Sequence, residues 1–516
     1  MPFKHVVAPR MGQISNAPSS MIPPEASPYI KGCYVKDGEV VSDFGYVDYG
    51  TGQPFDGAVM KIDTFYTMSG LSFLLVFTTK SVYQYTVSTK AWTRIALNKF
   101  TGDEDNRFST TIMNDTFIVT NGVDQPQKIT ESGGTLTVAN LTTTLAAGSI
   151  TTAEVVFTFR DHLFLMNNTE NAADCPQRVS WTNIGELEDW TGGTAGYQDL
   201  VDDVSWVVGA VPLSENESTI YKERSIVAMT WVGGHTPFRF KTQVLGTGAL
   251  SKDAIDSGTG EHMVVGPDVT YAYKGGKEIE ILDDKIKKVM YGRLNREYAN
   301  RLFLIYIEED DELQIWIPTD TAYPDEVWCT NVVDETWYRK SRTMTCAGYY
   351  QEASSLTIGD LIGTIGEQNW RFGDALVKKY APTTLIGDQN GYVYKIDKTT
   401  LNNDGSAITN EFQTPDFVLP DSPDYMNMDM YTTQLIYEAA GQSISTFYST
   451  DGGETWNPTQ GAGGNTVSLA SGYKRYQQDF AVTSDKIRYK FLNTTASSGY
   501  RLRYYGFFWR ARARRG

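Results

Sequence analysis

Short strand-like runs, each broken after a few positions by turn residues, repeat along most of this chain and restrict its fold more than any other feature. Apolar and alternating patterns of this length predict β-strands, and the clearest ones cover residues 71–77, 81–87, 116–120, 157–166, 226–232 and 301–307. The 46 glycines and the 13% of aromatic residues also favour pleated sheets joined by tight turns. Only residues 283–298 have a helical pattern. The sequence therefore predicts an all-β protein.

A strand, a polar turn and then a tryptophan form a second recurring pattern. Trp92, Trp337 and Trp456 each follow such a strand and turn. Irregular repetition of strand pairs with a tryptophan after each turn is typical of diverged β-propeller blades. The spacing predicts a propeller but does not fix its number of blades.

Three regions are expected, because 516 residues exceed what one compact core holds. Residues 1–58 look like an irregular, Pro-rich N-terminal arm with a first strand, and such arms more often wrap a neighbour than form a core. Residues 59–405 are assigned to a β-propeller with insertions, in which the role of residues 195–300 is open. Residues 406–516 are assigned to a C-terminal β-sandwich with an Arg-rich tail.

The charges are distributed unevenly along the chain. There are 45 basic and 62 acidic residues overall, but the last sixteen positions hold six arginines and no acid, so the first 500 residues carry a net charge of −23. Such a body does not suit conventional nucleic-acid binding, which needs Lys and Arg on the binding face. Docking on an acidic partner is the preferred role for the tail, ahead of a disordered end or a DNA contact, and the candidate contact residues are Arg510, Arg512, Arg514 and Arg515.

The four cysteines are scattered without the spacing of a zinc site, and we expect them to be reduced and buried. No apolar run is long enough for a membrane span, and the first twenty residues do not resemble a signal peptide. These features predict synthesis in a cytoplasm and no membrane span.

One local motif matches the Asp-box pattern S-x-D-x-G-x-T-W. Its residues are Ser449, Asp451, Gly453, Thr455 and Trp456. In this pattern the carboxylate and the hydroxyls bond to backbone groups of a hairpin turn. The motif predicts a structural turn, and the alternative interpretation is a marker of a glycosidase.

Candidate catalytic residues do not emerge from the sequence. The acidic run 308–312 lacks the glycine and ligand spacing of a calcium loop, so we expect a solvated turn between two strands. No carboxylate pair stands out, and the histidines are isolated: His5, His162, His235 and His262. The sequence therefore predicts a protein that is not an enzyme and has no cofactor and no metal site.

Three segments together resemble the propeller-forming tail nozzle proteins of short-tailed bacteriophages. They are the run Thr120–Ile129, the run Phe159–Leu165 that follows a Thr-rich stretch, and the run Arg178–Trp190. The N-terminal arm and the C-terminal hairpin with its Ser-x-Asp-Gly-Gly turn are also similar to that family.

This resemblance implies a non-enzymatic virion protein of the tail. Such a protein would form a ring, in the family a hexamer, that continues the DNA channel below the portal and adaptor and supports genome retention and ejection. The implied partners are other copies of the chain, the tail adaptor protein, tail fibres or a needle or plug, and genomic DNA in passage. The alternative function is an Asp-box β-propeller glycosidase or carbohydrate-binding protein, and a trimeric tail spike is disfavoured because long regular β-repeats are absent.

Overall fold

The computed structural model describes residues 3–257, 260–351, 382–419, 425, 428–459 and 465–513. Strands dominate these residues, which confirms the predicted all-β class. Five strands come first: β1 (Phe3–Val7), β2 (Tyr29–Lys31), β3 (Cys33–Lys36), β4 (Glu39–Ser42) and β5 (Gly45–Asp48).

Six consecutive antiparallel units follow, and each is one blade of a propeller. Blade 1 contains β6 (Val59–Tyr66), β7 (Ser72–Thr78), β8 (Val82–Thr86) and β9 (Ala91–Ala96), and blade 2 contains β10 (Ser109–Met113), β11 (Thr116–Thr120), β12 (Gln127–Ser132) and β13 (Thr135–Asn140). Blade 3 contains β14 (Thr144–Leu145), β15 (Gly148–Phe159), β16 (His162–Glu170), β17 (Ala173–Trp181) and β18 (Gly196–Asp199), and blade 4 contains β19 (Val207–Pro212), β20 (Glu217–Lys222), β21 (Ser225–Trp231) and β22 (Phe238–Leu245). Blade 5 contains β23 (Ile255–Ser257), β24 (His262–Val265), β25 (Thr270–Tyr273) and β26 (Glu280–Ile281), and blade 6 contains β27 (Phe303–Ile307), β28 (Glu312–Pro318), β29 (Pro324–Asn331) and β30 (Thr336–Ser341).

A seventh blade closes the ring with a strand from the N-terminal region. It consists of β31 (Cys346–Tyr350), β32 (Thr383–Gly387) and β33 (Val393–Asp397), and β5 pairs antiparallel with β33 as the next strand. The innermost strands of the seven blades, which are β6, β10, β15, β19, β23, β27 and β31, contact one another in sequence order, and β31 contacts β6. Within the described residues, the chain therefore forms a seven-bladed β-propeller.

Helical elements are few and short in the described part of the chain. The segment predicted to be helical contains α1 (Lys287–Arg293) and a 3₁₀ turn at Arg296–Arg301, and further 3₁₀ turns lie at Lys252–Ala254 and Glu308–Asp310. Residues 195–300, to which the sequence assigned no role, include blades 4 and 5.

Most of the remaining strands build a second pair of sheets beside blades 6 and 7. The exceptions are β34 (Asn402–Asn403) and β35 (Ser406–Ala407), which continue the sheet of blade 7 beyond β5. The strands of the second pair of sheets are β36 (Asn410–Gln413), β37 (Phe417–Val418), β38 (Met428–Gly441), β39 (Ser443–Ser449), β40 (Asn457–Pro458), β41 (Thr466–Ser468), β42 (Lys474–Ser484), β43 (Lys486–Asn493) and β44 (Tyr500–Ala513). One sheet has the order β3-β4-β44-β38-β42, and the other extends blade 6 through β2 into β36, β43 and β39.

The N-terminal segment differs from the expected arm because it is built into the core of its own chain. β1 pairs with β44, and β2 lies between β30 and β36. Ile30, Cys33 and Val40 are fully buried in the largest hydrophobic cluster. Burial of these apolar side chains stabilises the segment against the rest of the chain.

A separate C-terminal sandwich of residues 406–516 is not confirmed. The two sheets share a core in which the Phe491 and Tyr505 rings lie 5.9 Å apart and the Tyr489 and Phe507 rings 5.4 Å apart. However, β1–β4 belong to these sheets, and one of the sheets is continuous with blade 6. Below, this pair of sheets is called the lateral module.

Three local predictions need correction. Residues 157–166 are not one strand, because Arg160 and Asp161 adopt positive φ angles and form the turn between β15 and β16. Cys175 is only half-buried, whereas the other three cysteines are buried. Glu312 belongs to β28 and is buried against Lys340, so the acidic run is a solvated turn only in part.

Candidate functional site

A cavity with a volume of about 360 Å³ lies at the centre of the propeller. Strands β6, β10, β23, β27 and β31, each the first strand of its blade, contribute side chains to its wall, as does the 3₁₀ turn Lys252–Ala254. Polar groups from distant parts of the chain meet there, and a concave site with a few convergent polar groups is a candidate binding site.

Asp253 holds two of the three cations in this cavity. Its Oδ1 lies 3.3 Å from Lys61 Nζ and its Oδ2 lies 2.8 Å from Arg107 Nε. The Arg107 side chain is only 3% exposed, and its Nη2 donates a further hydrogen bond to the Thr345 carbonyl at 2.8 Å. Burial opposes ionisation of Asp253, but the charges of Lys61 and Arg107 outweigh it and lower the pKa of the carboxyl to about 2.

Lys252, the third cation, connects three blades through hydrogen bonds. Its ammonium donates to the Arg107 carbonyl at 2.7 Å, to the Glu154 carbonyl at 2.8 Å and to Glu154 Oε2 at 2.6 Å. An ammonium has three protons to donate, so these three bonds use its whole capacity. Lys252 therefore links blades 2, 3 and 5 and has no proton left for a ligand.

Asp256 is a further acidic residue that lines the cavity. Its two oxygens accept the backbone N–H groups of Ser257 and Tyr306, each at 2.8 Å. Burial nevertheless raises the pKa of its carboxyl to about 6, against the lowering effect of these hydrogen bonds. Asp256 can therefore hold a proton in mildly acidic solution, whereas Asp253 cannot.

Sequence reasoning missed this site. Arg107, Glu154 and Asp253 are far apart in the chain and stand in no motif, so only ring closure brings them together. The described residues also contain no group of three or more His, Cys, Asp or Glu side chains placed to hold a metal ion.

The Asp-box residues form the turn that the motif predicts. Asp451 accepts hydrogen bonds from the Ser449 hydroxyl at 2.7 Å and from the Thr455 backbone N–H at 3.0 Å, and Ser449 Oγ accepts the Gly453 N–H at 2.8 Å. Bonds from Ser449 and Thr455 hold the pKa of Asp451 well below its usual range. Beside the turn, the Lys490 ammonium lies 4.4 Å from the centre of a Trp456 ring.

The turn is not part of the central cavity. It follows β39, a strand of the lateral module, and none of its residues lines the propeller centre. The structure therefore does not bring the predicted motif together with the buried carboxylates.

The C-terminal arginines lie at the end of β44. Arg510 and Arg512 are exposed, and their guanidinium carbons lie 4.8 Å and 5.7 Å from the ring centre of Tyr431 on β38. Arg514 and Arg515 lie outside the described residues. Stacking on Tyr431 orients the first two arginines and leaves their N–H groups open to solvent.

Comparison with known proteins gives no family assignment. No family model matches the chain, and no curated protein matches it. Solved structures that resemble it include virginiamycin B lyase from Staphylococcus aureus (10% identity, TM-score 0.40, 68% of this chain and 98% of that one), YCF48 from Cyanidioschyzon merolae (9%, 0.37, 68% and 98%) and Sqt1 from Saccharomyces cerevisiae (8%, 0.38, 69% and 98%). Such values say nothing about the activity of this chain. Within the described residues, no helix has the length and apolarity needed to cross a bilayer.

Proposed function

We propose that this chain is a non-enzymatic structural subunit of a virus particle, the nozzle of a short phage tail. The observation that carries the proposal is that the charged side chains at the propeller centre are engaged in ion pairs and hydrogen bonds with one another. Asp253 is held between Lys61 and Arg107, and Lys252 is saturated by Glu154 and the Arg107 carbonyl. Charged side chains that are paired in this way hold blades together and are poorly suited to catalysis. Their pairing therefore supports a scaffold function.

The lateral module supports assembly into a ring. It extends blade 6 outward through β2 and presents Arg510 and Arg512 at its surface. A head-to-tail contact needs two different surfaces on one subunit, and an Arg-bearing module beside an acidic propeller supplies them. In the proposed particle the ring, a hexamer, joins the tail adaptor and the fibres or needle, and genomic DNA passes through it.

The mass of the purified full-length chain, measured by light scattering over a range of concentrations, tests the assembly. A closed oligomer of about six copies is expected. It should form most readily at low salt, because ion pairs at exposed sites weaken as the ionic strength rises. A chain that stays monomeric at every concentration and salt tested would contradict the ring.

A carbohydrate-active propeller is the second candidate, and one observation favours it. Asp253 and Asp256 line the same cavity, with pKa values lowered to about 2 and raised to about 6. Opposite shifts of two carboxyls are the pattern of an acid and its partner in glycoside hydrolysis. Turnover of reporter glycosides that is lost in Asp256→Asn would establish this candidate and exclude the scaffold.

A further inference from the structure

Four buried charged side chains form a second cluster, away from the propeller centre. They are Asp43, which follows β4, Glu312 on β28, Lys340 on β30, and Arg342, which follows β30. The side chains of Asp43, Lys340 and Arg342 are each 1% exposed, and that of Glu312 is 8% exposed. None of the four lines the central cavity. The cluster joins the N-terminal segment to blade 6 and is separate from the site described above.

The Lys340 ammonium lies between two carboxylates. Its Nζ is 3.3 Å from Asp43 Oδ1 and 3.0 Å from Glu312 Oε1. The centres of the Phe44 and Tyr338 rings lie 4.8 Å and 5.5 Å from the same nitrogen. Burial lowers the pKa of Lys340, but the charges of Asp43 and Glu312 outweigh this effect and raise it. The amine is therefore protonated, and a carboxylate that can accept its proton lies within hydrogen-bond distance.

The two carboxylate oxygens of Asp43 have different surroundings. Oδ2 accepts a hydrogen bond from Arg342 Nη2 at 2.9 Å, and the same nitrogen also donates to the Phe44 carbonyl. Oδ1 faces Lys340 but accepts no hydrogen bond from any residue that the structure describes, although it is buried. A buried acceptor without a hydrogen bond is unfavourable. One oxygen is thus held in place, and the other would lose nothing by leaving the site.

Glu312 is oriented by hydrogen bonds on both of its oxygens. Oε2 accepts the Tyr338 hydroxyl at 2.6 Å, and Oε1 accepts the Gln314 amide at 2.6 Å in addition to the Lys340 ammonium at 3.0 Å. A general base must lie within hydrogen-bond distance of the proton that it removes. Glu312 meets this requirement toward Lys340.

We propose that Lys340 and Asp43 condense to an intramolecular isopeptide bond, with the loss of one water molecule. Glu312 takes a proton from the Lys340 ammonium, and the resulting amine attacks Cγ of Asp43. Arg342 stabilises the negative charge that develops on Oδ2. The bond between Cγ and Oδ1 then breaks, and Oδ1 leaves as water with two of the three ammonium protons, which Glu312 transfers. The third proton stays on the amide nitrogen, so no further reactant is needed.

Position and burial both favour this condensation. Reacting groups held together in one chain behave as if present at effective concentrations of roughly 10⁵–10⁸ M, and the low exposure of the cluster keeps out the water that would reverse the reaction. The bond also removes two buried charges and leaves Arg342 and Glu312 as a balanced pair. It would lock the N-terminal segment to blade 6. The proposal does not depend on the proposed nozzle function, and a bond formed once within the chain does not make the protein an enzyme.

Mass spectrometry of the denatured full-length chain tests the proposal. The intact mass should be lower than the mass of the sequence by one water molecule. After digestion with trypsin, tandem spectra should identify a branched peptide that joins the segments of Asp43 and Lys340 and is not cleaved after Lys340. Glu312→Gln keeps the shape of the side chain and removes the base. This variant should retain the full sequence mass, with circular dichroism to show that it folds.

Lys222 is the matched control within the same chain. Its side chain is also 1% exposed and its Nζ lies 2.7 Å from Asp203, but no second carboxylate lies within ion-pair distance of it among the residues described. Trypsin should therefore cleave after Lys222 in the denatured chain, and its peptide should carry no link. A wild-type mass equal to that of the sequence would overturn the proposal, as would a water loss that tandem spectra place at another site. An unchanged extent of linkage in Glu312→Gln would overturn the role given to Glu312.

Discussion

Replacing Asp253 by Asn tests whether the central ion pairs hold the propeller together. The substitution keeps the shape of the side chain and removes its charge, so Lys61 and Arg107 lose their shared anion. The Asp253 and Arg107 side chains are 11% and 3% exposed, so solvent cannot replace the missing partner well. Breaking a buried ion pair from one side costs about 3–5 kcal/mol, and we expect a loss of unfolding free energy of that order at pH 7.

The same carboxyl makes the loss depend on pH in a defined window. The pKa of Asp253 falls from an ordinary 3.8 to about 2 in the folded chain, which corresponds to about 2.5 kcal/mol at roughly 1.36 kcal/mol per unit. Because the folded-state pKa is lowered, this stabilisation is complete above pH 4 and disappears as the pH falls toward 2. The stability difference between the wild type and Asp253→Asn should therefore shrink across that window.

Urea unfolding followed by tryptophan fluorescence measures both effects. Asp284→Asn is the control, because Asp284 is exposed and forms no ion pair with the residues described. It should change the unfolding free energy by less than about 0.5 kcal/mol. A loss below about 1 kcal/mol in Asp253→Asn, or a difference that stays constant down to pH 2, would refute the role assigned to these ion pairs.

Three further predictions concern the surface and the thiols. A thiol reagent should label only Cys175 in the native chain and all four cysteines after denaturation. The reason is that Cys33, Cys329 and Cys346 are buried, and burial raises the pKa of their thiols. Rapid labelling of more than one native thiol would contradict the burial of these three cysteines. Asp451→Ala should lower the melting temperature while the far-UV circular dichroism stays unchanged, because the hydrogen bonds of its turn are lost; an unchanged melting temperature would contradict the structural role of the turn. Duplex DNA titrated at low salt should show no micromolar binding, because the body is acidic; salt-sensitive binding would assign the C-terminal arginines to DNA.

The sequence predicted those parts of the fold that depend on local pattern. Short apolar runs bounded by turn residues placed strands such as β11 and β21 to within one residue, and the Asp-box residues predicted a turn that the structure contains. The hairpin turn at Arg160 and Asp161 was missed because neither residue is a glycine or an asparagine, although both adopt positive φ angles there.

Features that depend on distant pairing were not predictable from one sequence. The seventh blade is closed by β5, whose Asp48 pairs with Tyr394, and no local signal marks that pairing. Glu312 appeared to belong to a solvated turn because its buried partners Lys340 and Tyr338 come from another strand pair. The central cavity escaped prediction for the same reason, since its charged groups meet only when the ring closes.

Labelling of virus particles with an antibody against this chain tests the central claim most directly. If the chain is a tail nozzle, electron micrographs of particles of the virus that encodes it should show the label at the tail, below the portal. The purified chain should in addition hydrolyse no reporter glycoside. Particles without label at the tail, together with a monomeric chain that hydrolyses a glycoside, would contradict the account and favour a carbohydrate-active propeller.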